Sequence, residues 1–234
     1  MFPFQTANDD VTLHGRVAYL PVGSYAQHGG FLPLDTDTLI AKMVAVRLAE
    51  QIPGLVLPVV GVSVSHEYAG WRGTVAVPAS VLASYVTAIM EDVYRQGFSW
   101  LIVVSGGGGN HVLKDIVQEA NRDTRRAILF PSTEAVAEAY EFAELETSPS
   151  EDLHAGEYET SLGLFAGFVG GDMLPLGKGT ARNWTESYAG LREFNEDGFI
   201  GVPSLGTVEK GRKILTSYER SYLRVMEILL IASG

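Results

Sequence analysis

The chain contains no cysteine. Disulfides and thiolate metal sites are therefore excluded, and any metal has to be held by His, Asp or Glu. Basic residues are also few: 17 Lys and Arg stand against 28 Asp and Glu, a formal net charge of −11. A surplus of that sign repels a phosphate backbone, so nucleic acid is not an expected partner. No apolar run approaches the roughly 18 residues that a membrane span needs. The opening segment, MFPFQTANDDVTLHGR, lacks the basic start and apolar stretch of a signal peptide. These absences predict a cytoplasmic protein with no membrane partner.

What is present suffices for one sizeable core. Apolar residues make up 46% of 234, which predicts a single domain over residues 1–234. Apolar runs at 17–23, 55–62, 101–107 and 127–131 read as buried strands. Between and after them, segments at 38–51, 79–96, 112–125 and 209–232 carry apolar residues at helical spacing. That alternation predicts an α/β fold with a mostly parallel central sheet. Residues 145–152 and 175–195 lack periodicity and read as loops.

Three polar clusters follow these strands or lie in nearby loops, which is where open α/β sheets bind ligands. In LPVGSYAQHGGFLPLDTD, His28 and Asp37 are hard-metal ligand types, although an Asp just before a helix also serves as an N-cap. In VSGGGGNHVLKD, Gly107 and Gly108 would let a ligand approach the backbone closely, or simply make a tight turn. In EDLHAGEYETSLGLF, Asp152, His154, Glu157 and Glu159 crowd eight residues. If helix begins near Ala155, Gly156, Glu159 and Gly163 share a face and Glu157 points away, leaving Glu159 the better inward carboxylate. A capping role for Glu159 and a structural role for His154 are the alternatives.

Taken together, these segments and SHEYAGWRGTVAV resemble the creatininase family in order and spacing from about Val17 to Gly211. The family's LPVGSxEQHGxxLPLxTD appears as LPVGSYAQHGGFLPLDTD, its NGHGGN as SGGGGN, and its HAGxxETS is intact at His154–Ser161. Its GVIGxPSxAxxEKG appears as GFIGVPSLGTVEKG. The resemblance implies a three-layer αβα fold, a homo-oligomer that is often a hexamer, and metal-dependent hydrolysis of C–N bonds in small cyclic amides or formamides with two divalent ions.

Carried over by position, one ion's ligands become Ala26, Asp37 and Gly107, and the other's become His28, Asp37 and Glu159. A further family histidine is Tyr68, and a proline is Arg72. The losses fall on one ion. The resemblance therefore implies one divalent metal per chain (Zn, Mn or Fe) held by His28, Asp37 and Glu159. His154 and Glu67 are the catalytic candidates. Gly107, Gly108, Tyr68 and Arg72 are candidates for contacting a small-molecule substrate. The competing expectation is a pseudoenzyme, or a non-hydrolytic small-ligand-binding enzyme, that kept the fold after the changes at Ala26 and Gly107.

Overall fold

The computed structural model describes residues 5–169 and 174–232. The expected single domain of 1–234 divides by contacts into two units. The first comprises Met1–Ser24, Asp37–Val64 and Val77–Pro131, and the second Tyr25–Thr36, Ser65–Ala76 and Ser132–Gly234.

The first unit carries the sheet. After a short helix α1 (Asp10–Leu13), strands β1 (Val17–Val22), β2 (Leu55–Val56), β3 (Trp100–Ser105) and β4 (Ala127–Phe130) pair in the order β2-β1-β3-β4, every pair parallel. All six residues of β1 are buried, as expected of a strand covered on both faces. Alternation sorts its side chains. Ala18, Leu20 and Val22, with Leu101 and Val103 of β3, pack against α3 (Ala79–Arg95) and α4 (Val112–Ala120) through Leu82, Val86, Met90, Leu113 and Val117. Tyr19 turns to the other face, where its hydroxyl donates to the Ile52 carbonyl at 2.6 Å, just beyond α2 (Thr36–Gln51). Helices thus cover both sheet faces, the αβα layering expected. Each fully buried Leu or Val contributes about 1.5–3 kcal/mol to that packing.

Two elements stop short of their expected ends for local reasons. The run at 55–62 yields only Leu55–Val56 as strand, with one further bridge from Val60 to Val22. Pro58 lies between, and a proline has no N–H for the ladder. Helix α4 ends at Ala120 and not near Arg125. The Asn121 side chain accepts from the amides of Arg126 and Ala127 and donates to the Ala127 carbonyl, folding the chain straight into β4.

The second unit is helical: α5 (Thr133–Phe142), α6 (Glu157–Ala166), α7 (Trp184–Ser187) and α8 (Val208–Ala232). Helix α5 was not anticipated, although Ser132 marks its start by accepting from the Ala135 amide at 3.1 Å. Helix α8 packs against both α5 and α6. At Gly211 it approaches α6 so closely that any Cβ would overlap the Ser161 carbonyl. No helix among the described residues is long and apolar enough to cross a membrane.

Candidate metal centre

Helix α6 aims its carboxylates by the way its first turn is held. The buried Asp152 carboxylate accepts from the amides of Glu157 and Tyr158 at 2.8 and 2.7 Å and from the Tyr140 hydroxyl at 3.0 Å. It therefore satisfies the orphan donors of the helix start. Burial raises its pKa despite these bonds. Gly156 and Gly201 both line this carboxylate, and a side chain at either would overlap it.

Two residues of the first turn then diverge. Glu157 is fully buried and saturated: Lys210 Nζ donates to it at 2.6 Å, Thr147 Oγ1 at 2.7 Å, and the amides of Glu146 and Thr147 at 2.8–3.1 Å. Burial would raise its pKa, but these bonds outweigh it and hold the carboxyl below its ordinary range. Glu159 faces elsewhere. Its Oε2 accepts from the Ala155 amide at 2.6 Å and lies 3.9 Å from His28 Nε2. Ala155 adopts φ of 50°, an uncommon conformation for a residue with a Cβ, immediately after His154.

One ligand atom from each of His28, His154 and Glu159 lies within 4.8 Å of the others. Both histidines are buried, and both are pinned by the same loop. His28 Nδ1 is 3.0 Å from the Ala26 carbonyl, so its N–H is there and Nε2 carries the lone pair. His154 Nε2 is 2.7 Å from the Gln27 carbonyl and 3.2 Å from Gln27 Nε2. The shorter contact, to an acceptor, assigns the proton to Nε2 and the lone pair to Nδ1. The Gln27 side-chain amide, whose Oε1 accepts from the Gly29 amide at 2.9 Å, lies beside the same nitrogen. The His154 backbone is fixed as well, by paired bonds with Ile200 at 3.1 and 2.7 Å. Two neutral imidazole lone pairs and a carboxylate, each oriented by a backbone group, make a donor set suited to a divalent transition metal. Gln27 was not singled out from the sequence; it could have been, as the residue between Ala26 and His28.

Aromatic rings complete this region. Tyr68, on a 3-10 turn over His66–Tyr68, stacks on His154 with centroids 3.9 Å apart and planes 18° from parallel. The His28 ring lies 4.3 Å from the His154 ring, tilted by 43°. Tyr68 also belongs to a buried apolar cluster with Ala26, Trp184, Leu191 and Ile200. Glu67 is half-buried on the same turn, and Arg72 is exposed.

The other candidates lie in the first unit. Asp37, buried in the first turn of α2, accepts from Ser24 Oγ at 2.7 Å. Its carboxylate also fills the space where a Cβ at Gly107 would project. Gly108 is exposed with open space around it, and His111 is exposed at the start of α4.

The described residues thus combine a parallel α/β sheet with a His, His, Glu cluster of metal-ligand types. A family model described as creatinine amidohydrolase matches residues 6–226, running through both units, so the chain belongs to the creatininase family. A mycofactocin precursor peptide peptidase from Mycolicibacterium smegmatis is 30% identical over 86% of this chain and 81% of its own length. A 2-amino-5-formylamino-6-ribosylaminopyrimidin-4(3H)-one 5'-monophosphate deformylase from Methanococcus maripaludis is 26% identical over 47% of this chain and 49% of its own. Among solved structures, a manganese creatininase aligns with a TM-score of 0.76 at 21% identity, over 93% of this chain and 92% of its own. A creatininase mutant of the Zn-Zn type aligns at 0.73 and 20%, over 90% of each chain.

Proposed function

We propose that this protein is a metal-dependent hydrolase of C–N bonds in small cyclic amides, formamides or short peptide amides, using one divalent ion per chain. The observation that carries the reading is the clustered donor set of His28, His154 and Glu159, each held by a backbone group. Zinc, manganese and iron all suit such ligands. Bound there, the ion would supply Lewis acidity toward an amide carbonyl and toward water.

The protein's own groups do the rest. The Ala26 and Gln27 carbonyls hold the two imidazoles in opposite tautomers, and the Ala155 amide orients Glu159. In this reading Glu67, half-buried on the turn that carries Tyr68, takes up a proton, and exposed Arg72 offers a cation to an anionic substrate. The relatives support the substrate class in different degrees. The peptidase covers most of this chain and the deformylase about half, so a peptide or formyl amide is favoured over a creatinine-like ring.

The third ligand is where two lines of support diverge. The family resemblance nominates Asp37; the second unit's geometry nominates His154, leaving the ring no separate proton-transfer role. Equilibrium metal binding by His154→Ala and Asp37→Ala separates them. The variant that loses affinity by about a hundredfold or more identifies the ligand, since a second-sphere change costs about ten- to a hundredfold. The hydrolase reading fails if the metal-loaded parent cleaves neither a formamide nor a peptide panel. The non-hydrolytic alternative then stands, favoured by Asp37 filling the space at Gly107.

A further inference from the structure

Tyr68 is the unusual member of this region. The resemblance places a histidine at its position, yet here a phenol ring lies flat on His154, 3.9 Å between centroids and 18° between planes. The ring is not exposed to receive a substrate: it is 8% accessible and packed among Ala26, Trp184, Leu191 and Ile200. Trp184 lies 6.3 Å away, its own indole N–H anchored on the Ala189 carbonyl at 3.0 Å. The Tyr68 ring is thus held from behind by a packed cluster and presents one face to the imidazole.

The bond between His154 Nε2 and the Gln27 carbonyl sets one direction of the ring, and tilting about that direction would move its other atoms relative to His28 and Glu159. A bond along one direction sets a pivot, and a contact across a ring face bears on the plane. Tyr68 supplies that contact on one face, and the His28 ring lies beside the imidazole at 4.3 Å, tilted by 43°. An offset or parallel stack of this kind resists tilting more than an aliphatic neighbour of equal volume, because close contact is lost across the whole face at once.

We infer that Tyr68 is a positioning residue for the metal centre: by stacking on His154 it holds the imidazole plane in which Nδ1 points toward His28 and Glu159. This rests on the proposed metal-binding reading and adds to it a requirement for a flat ring at position 68. The role proposed belongs to the ring face. Phe and Trp should substitute, and Leu, which fills the cluster but has no face, should not.

The test is equilibrium Co(II) binding to the full chain by competition with a chromophoric chelator, with the visible absorption of bound Co(II) as a second readout. Tyr68→Phe and Tyr68→Trp are expected to bind within about threefold of the parent with the same spectrum. Tyr68→Leu is expected to bind about ten- to a hundredfold more weakly, the range for disturbed ligand support, with altered bands. Leu191→Ala is the packing control, since Leu191 lies in the same cluster and is fully buried. It should lower the unfolding midpoint and leave Co(II) affinity within about threefold. Equal affinity for Tyr68→Leu and the parent would overturn the inference, as would Tyr68→Phe or Leu191→Ala weakening binding as much as Tyr68→Leu. A parent that binds no Co(II) removes the metal reading itself, and the inference with it.

Discussion

Two sides of one helical turn show how the same residue type takes opposite roles. Glu157 and Glu159 are two positions apart at the start of α6. On the Glu157 side, an ammonium, a hydroxyl and two amides converge on a carboxylate with no exposed surface. Its lone pairs are used by protein donors, which leaves little capacity for a ligand. On the Glu159 side, the carboxylate accepts from the Ala155 amide, neighbours an imidazole and keeps 13% of its side-chain surface exposed. The saturated carboxylate reads as structure, and the partly exposed one beside two oriented histidines reads as chemistry.

The largest effect that could break this contrast is at the buried pair. Glu157→Ala takes from Lys210, 15% exposed, its buried partner, and from the Thr147 hydroxyl and the Glu146 and Thr147 amides their acceptor, and should cost about 3–5 kcal/mol in urea unfolding. Co(II) affinity of the folded protein should stay within about threefold, below the effect of disturbing ligand support. A variant that unfolds normally but loses metal would reverse the two roles. Next in size, Glu159→Gln should weaken metal binding about a hundredfold, equivalent to roughly 2.7 kcal/mol at 1.4 per tenfold. Its metal-free stability should move by less than about 1 kcal/mol.

Asp37 extends the comparison to a third carboxylate, in the first unit. Its placement against Gly107 predicts that Gly107→Ala forces the side chain to move and costs about 1–3 kcal/mol, read by thermal unfolding. An unchanged midpoint would show that the carboxylate yields easily. At the small end, α8 offers an internal control three residues beyond Lys210. Lys213 pairs with Glu144, whose side chain is 79% exposed. Lys213→Ala should leave the unfolding midpoint unchanged within error, because an exposed pair is screened by water.

The divergence of Glu157 and Glu159 was legible in the sequence, since helical geometry from Ala155 onward separates their directions. The sheet was legible too, except where Pro58 cut β2 short and Asn121 ended α4 early. The Lys210–Glu157 pair was not: its partners are 53 residues apart, and no local pattern joins the EKG segment to HAGEYETS. Nor were the histidine tautomers, which depend on the Ala26 and Gln27 carbonyls and therefore on backbone geometry. Tyr68 was read from the resemblance as a lost histidine and a candidate substrate contact. Its place on the His154 ring required the fold, because 86 residues separate the two and neither sequence neighbourhood signals stacking.

The central claim is that His28, His154 and Glu159 hold a divalent ion. Its most direct test is the metal content of chelator-stripped protein after equilibration with zinc or manganese and gel filtration, beside the His28→Ala variant. The account predicts about one equivalent per chain for the parent and under about 0.2 for the variant, since binding requires the complete deprotonated donor set. Under about 0.2 equivalents in the parent, or undiminished binding by His28→Ala, would contradict it.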